Sequence, residues 1–204
     1  MHLIGPSALG IVMLLLLVML VVIKQLATGS ILEKPKGMLR VRFVNVFNLF
    51  FLLVVLPVTA ILLITYKMEV FDPSHLTINR PSLLLGLEIG GMVLYVSGYF
   101  LMDWALINLR RNYQLGGSSP RSSDEMVRTG PYKLVRHPMY TAVLCIFLGL
   151  AFLVQSSALF FLFWIYLILI ILLIPVEEEG LKQAYGEKYT AYQQEVKKLV
   201  PFCY

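Results

Sequence analysis

Apolar residues along this chain arrive in long blocks rather than in alternation. The first block runs from Leu3 to Ile23 around "IVMLLLLVMLVVI". Others follow at Phe43 to Tyr66, Ser82 to Leu109, Met139 to Val154 and Ala158 to Pro175. A helix that crosses a bilayer takes roughly 20 apolar residues, with about 17 as the lower limit. The last two blocks are short and joined only by Gln155, Ser156 and Ser157, so they form an antiparallel helical hairpin, crossing fully or entering as a tilted or re-entrant pair. The pattern predicts an all-α, multi-pass membrane bundle of about five transmembrane helices. Pro175 is expected to end or kink the fifth. Beyond it, Leu181, Tyr185, Tyr189, Tyr192 and Val196 recur at helical spacing. That spacing predicts a C-terminal amphipathic helix on the cytoplasmic face, lying on the membrane or on the bundle.

Composition agrees with the pattern. The chain is 58% hydrophobic and 14% charged, with a mean hydropathy of +0.78, which excludes an ordinary soluble domain. A single domain is expected over residues 1 to 204. Residues 1 to 107 supply the first three membrane helices and 108 to 204 the chemically distinctive core. The net charge of +5 reads as loops beside anionic headgroups, not as a nucleic-acid surface. Lys and Arg number five in residues 24 to 42, two in 67 to 81, six in 108 to 138, none in the hairpin turn and four in the tail. This alternation predicts an N-terminus outside and a C-terminus in the cytoplasm. The membrane is then the plasma or inner membrane of a prokaryote, or the endoplasmic reticulum of a eukaryote. No cation precedes the first block, so it is expected to persist as a membrane helix rather than be removed as a signal peptide. Two cysteines and three scattered histidines give neither a disulfide framework nor a metal site. The Gly-, Ser- and Pro-rich stretch "GGSSPRSSDEM", residues 116 to 126, is a loop, read either as a lid or as a plain connector.

Two polar segments fall on the same predicted side. In "GPYKLVRHPMY", residues 130 to 140, Pro138 suits the first position of a helix, which puts His137 at its N-cap. Free backbone N–H groups there, with Arg136 beside them, favour an anion. Tyr132 and Tyr140 add aromatic faces. The same residues also fit a plain interfacial belt. In "IPVEEEGLKQAYGEKY", Glu177, Glu178 and Glu179 follow Pro175 and read as acidic residues opening a helix. A ligand with a carboxylate, an ammonium and an aromatic base matches the two halves together, and S-adenosyl-L-methionine is one such ligand.

These segments carry a resemblance. "GPYKLVRHPMY", an apolar hairpin and "IPVEEEGLKQAYGEKYTAYQQEVKKLVP" resemble the isoprenylcysteine carboxyl methyltransferase and phospholipid methyltransferase superfamily of membrane enzymes. Glu177, Glu178, Leu181, Tyr185, Gly186, Tyr189 and Tyr192 stand at the positions of its second motif. The resemblance implies S-adenosylmethionine as methyl donor, bound on the cytoplasmic side. It implies a pocket lined by Tyr132, Leu134, Val135, Arg136, His137, Tyr140, Glu177 and Glu178. It also implies a lipophilic acceptor arriving from the bilayer: a prenylated cysteine, a lipid or a small thiol. An isoprenylcysteine carboxyl methyltransferase-like activity leads. Two positions depart from the pattern: many relatives carry Arg where Leu173 stands, and Gly where Ala142 stands. An Arg at the first could orient an acceptor carboxylate.

Glu178 is the residue expected nearest the chemistry. Asp103, a carboxylate within the third block, is a second catalytic candidate, because ionisable groups inside a membrane helix are costly and mark function by default. Glu88 is weaker on the same ground. Two rival classes stay open: an NADPH-dependent membrane reductase, and a non-catalytic membrane scaffold.

Overall fold

The computed structural model describes residues 4–31, 39–113, 120 and 124–200. Most of the loop 116–126 lies outside the described residues, as do His2 and Cys203. Among the described residues the structure is all-helical. With no water to satisfy backbone groups in hydrocarbon, long apolar segments close their own hydrogen bonds as helices.

Helix α1 spans Pro6–Thr28 and stops at Gly29, whose φ of 78° is open to glycine, its N–H donating to the Gln25 carbonyl at 2.9 Å. The second pass is one rod in three parts: α2 (Leu39–Phe50), a π-helical turn (Phe51–Val55) and α3 (Leu56–Ile64). The widened turn falls just before Pro57, whose missing N–H already interrupts the ladder. After the short α4 (Met68–Phe71), α5 (Pro81–Leu109) forms the third pass. Helices α6 (Pro138–Leu153) and α7 (Ser157–Tyr185) form the hairpin, and α8 (Glu187–Glu195) closes the fold.

Four of these passes are long and apolar enough to cross a membrane, and α6, with 16 residues, is shorter. The hairpin nevertheless traverses the bundle. Its turn meets the loop between the second and third passes: Leu76 N–H donates to the Gln155 carbonyl at 2.9 Å, and Ser157 N–H to the Ser74 carbonyl at 3.2 Å. His75 Nδ1–H donates to the Val154 carbonyl at 3.0 Å. Five passes therefore alternate between two ends, as the hydropathy pattern predicts.

Helices α5 and α6 approach closely through small residues. A Cβ on Gly149 would lie 2.6 Å from the Tyr95 nitrogen, and one on Gly98 would lie 2.9 Å from the Ala142 carbonyl oxygen. Ala142 is fully buried yet fits against that bare backbone.

The expectation that Pro175 ends the fifth helix needs correction. Helix α7 runs through Pro175 and ends ten residues later, at Tyr185, capped by Gly186 with φ 58°. Neighbouring helices tolerate an interrupted hydrogen bond within a membrane helix, so proline need not end it. Glu177, Glu178 and Glu179 therefore sit inside α7, not at a helix start, and the helix dipole has little to do with them.

Candidate functional site

The segment before α6 is held from both sides. Thr129 Oγ1 donates to Asn108 Oδ1 at 3.2 Å, and Gly130, with φ 58°, lies so close to the Asn108 side chain that a Cβ would meet it at 2.5 Å. After a 3-10 turn over Gly130–Lys133, the chain pairs with the C-terminal tail from Val135 onward. Arg136 N–H donates to the Lys197 carbonyl at 2.8 Å, His137 N–H to the Lys198 carbonyl at 3.0 Å, and Thr141 Oγ1 to the Leu199 carbonyl at 2.8 Å. Pro138 opens α6 with His137 as its N-cap, as its sequence position predicts. The N–H groups of Arg136 and His137 are not open to a ligand, because the tail accepts both.

Helix α7 brings its carboxylates against this segment, and the two acids face different partners. Glu178 Oε1 accepts from Arg136 Nε at 2.7 Å and from His137 Nε2 at 3.1 Å, while its Oε2 accepts from Gln193 Nε2 at 3.2 Å. Arg136 also donates to the carbonyls of Gln193 and Val196. The Arg136 and Glu178 side chains are 6% and 8% exposed. Arg136 is thus neutralised inside the protein. Glu177 is engaged by Tyr140, whose hydroxyl donates to Oε1 at 2.6 Å. Its Oε2 lies 3.9 Å from His137 Nδ1, beyond hydrogen-bond reach, and the Tyr140 ring stacks on the imidazole with centroids 5.8 Å apart. His137 therefore stands between the two carboxylates, bonded to one.

A cavity of about 320 Å³ opens beside this cluster. Tyr132, Arg136, His137, Tyr140 and Glu177 line it, as do Tyr185, Tyr189 and Tyr192. Glu178, Leu134, Val135 and Asp103 are not on its wall. Val135 is buried and pairs with the tail at Lys197, while Leu134 is half exposed. Asp103 is buried in α5, and neither of its oxygens has a hydrogen-bond partner among the described residues. Tyr192 donates to the Tyr132 carbonyl at 2.5 Å, but the buried Tyr189 hydroxyl has no partner among the described residues. Burial raises the hydroxyl pKa of Tyr132, Tyr189 and Tyr192 well above the usual phenol range, so these groups remain neutral.

Sequence reasoning missed several groups here: Gln193, the tail carbonyls, and the asparagines Asn45 and Asn48 of α2, which also line the cavity. The signal for the asparagines was present, as two amides three residues apart within an apolar run.

The phospholipid methyltransferase family matches residues 87–188, half of the chain and all of the carboxylate cluster. The chain belongs to this family of membrane proteins. Among curated proteins, it is similar to a methanethiol S-methyltransferase of Crocosphaera subtropica, 28% identical over 119 residues, which cover 56% of this chain and 44% of that protein. The chain thus spans less than half the length of the curated relative it matches.

Proposed function

We propose that this protein is an integral membrane methyltransferase that uses S-adenosylmethionine and methylates a lipophilic acceptor, in the manner of isoprenylcysteine carboxyl methyltransferases. The observation that carries the reading is Glu177, a buried carboxylate facing a tyrosine-walled cavity next to an unpartnered tyrosine hydroxyl. Family membership supplies the reaction class.

The wall suits the methyl donor by the chemistry of its groups. Glu177 offers acceptor oxygens to hydroxyls or an ammonium, and the faces of Tyr132, Tyr140 and Tyr185 offer surfaces for a flat base and attraction for a cation. The Tyr189 hydroxyl is open to one more hydrogen bond. When bound, the donor supplies an electrophilic methyl group. The residues of this chain align it and exclude water, which is where an enzyme gains most with a reactive donor.

Within this reading Tyr140 fixes the Glu177 carboxylate, and Glu178 fixes the segment that carries Tyr140. Glu177 is the carboxylate next to the chemistry; Glu178 is a positioning residue. Asp103, away from the cavity wall, has no assigned role. The distribution of Lys and Arg supports a cytoplasmic side for this end of the bundle.

A second reading, methylation of a small thiol, is favoured by the name of the curated relative and by Leu173, a buried apolar residue where an Arg could orient an acceptor carboxylate. The test is transfer of a radiolabelled methyl group by purified protein to N-acetyl-S-farnesylcysteine, phosphatidylethanolamine and methanethiol. Label in an acceptor, dependent on Glu177, supports the methyltransferase reading. Folded protein that labels none of the three contradicts it.

A further inference from the structure

Helix α2 carries Asn45 and Asn48 one turn apart, within a membrane-spanning segment, and both line the cavity whose wall also holds Glu177. They differ in what they bond. Asn48 Oδ1 accepts from the Tyr166 hydroxyl at 2.7 Å, and Phe47 stacks on the Tyr166 ring with centroids 5.4 Å apart. Asn48 is therefore held in place by α7. Asn45 is 5% exposed, and its Nδ2 has no hydrogen-bond partner among the described residues. An amide donor buried without a partner is costly anywhere, and more so in a helix surrounded by lipid and apolar side chains. The same cavity wall carries apolar side chains, among them Leu20, Leu49, Leu52, Phe51 and Leu56. A buried donor without a partner beside such a surface suits a pocket that orients a largely apolar ligand through a few polar atoms.

We infer that Asn45 is a specificity-determining residue: its amide donates a hydrogen bond to an oxygen of the methyl acceptor, and the acceptor is a lipophile bearing such an oxygen rather than a bare thiol. The inference rests on the methyltransferase reading above. Asn45 precedes residues 87–188, so the region that matches the family and the residue that reads the acceptor are separate parts of the chain. A site built to bond a substrate oxygen discriminates strongly against an analogue that lacks it, because the site's own donor is then left unmet.

The experiment compares wild type with Asn45→Leu, a near-isosteric change that removes the donor. S-adenosylmethionine affinity is measured first, by calorimetry. KM is then measured for N-acetyl-S-farnesylcysteine and phosphatidylethanolamine, which carry oxygens, and for 1-dodecanethiol, which does not. The expected result is turnover of at least one oxygen-bearing acceptor, with its KM raised about tenfold in Asn45→Leu. The cofactor Kd and any dodecanethiol KM stay unchanged. Equal KM values for the oxygen-bearing acceptor in both proteins overturn the inference. So does turnover confined to dodecanethiol, or turnover of neither oxygen-bearing probe by protein that binds the cofactor. If wild type binds no cofactor, the methyltransferase reading itself fails. Should Asn45→Leu lose cofactor binding, Asn45→Ala, which also lacks the donor, is read in its place.

Discussion

Arg136 donates to Glu178 at 2.7 Å across 42 positions of chain, and this bond joins the start of α6 to the interior of α7. The same carboxylate takes His137 and Gln193, so three separated segments meet on one side chain. Glu177, its immediate neighbour, lies on the cavity wall instead. Adjacent residues on a helix point about 100° apart. One acid can therefore hold the structure while the next faces the ligand, and the two are expected to fail differently on mutation.

Glu178→Gln leaves Arg136 buried without its counter-charge. Breaking one side of a buried ion pair costs about 3–5 kcal/mol. The expected outcome is a large fall in thermal stability in detergent. Replacing both partners with apolar residues, Arg136→Met with Glu178→Met, recovers part of that loss, because no lone charge remains.

Tyr140→Phe keeps the ring stacked on His137 and removes the 2.6 Å bond to Glu177. A hydrogen bond to a charged group contributes about 1.5–3 kcal/mol. Cofactor affinity is expected to fall about tenfold or more, with a smaller change in melting temperature than for Glu178→Gln. Calorimetry and a thermal scan on the same preparation check both.

Gly149→Ala drives a methyl group against the backbone of Tyr95 and Gly91, at 2.6 and 2.7 Å. Forced overpacking of this kind costs about 1–3 kcal/mol. Gly86→Ala, in the same α5, meets nothing within 4 Å and is expected to be neutral or stabilising, since alanine is the better helix former. Thermal melts of the two variants should move apart.

At the other end of the bundle, burial raises the pKa of Asp72, but the nearby Ser156 hydroxyl, the Ser74 hydroxyl and backbone N–H, which donate to Oδ1 at 2.5 and 2.9 Å, and the nearby His75 outweigh it and hold the carboxyl below its ordinary value of 3.8. A depressed pKa adds stability that is complete above the unfolded value and disappears as pH falls through the folded one. Asp72→Asn is expected to melt lower than wild type at neutral pH. The gap should narrow below pH 3.8, as the wild-type carboxyl takes up its proton.

The apolar helices and their order were legible in the sequence because apolar length is a chemical requirement of a bilayer. His137 and Pro138 were legible for a local reason, the fixed geometry of proline at a helix start. The separate roles of Glu177 and Glu178 were not. Which of two adjacent acids faces a cavity depends on the rotation of α7, and the sequence around Pro175 pointed to a helix start there instead. The tail carbonyls that accept from Arg136 and His137 were equally hidden, since a backbone acceptor leaves no mark on composition. Asn45 and Asn48 were visible as polar residues in an apolar run, but only the fold shows that Asn48 bonds Tyr166 while Asn45 Nδ2 has no partner among the described residues.

The central claim is that the cavity beside Glu177 binds S-adenosylmethionine. Its most direct test is calorimetric titration of the cofactor into detergent-purified wild type and Glu177→Gln, with a thermal melt of each. The account predicts saturable binding by wild type, weakened about tenfold or more in Glu177→Gln, with the melting temperature little changed. Folded wild type that does not bind the cofactor, or a Glu177→Gln variant that binds it equally well, would contradict the claim.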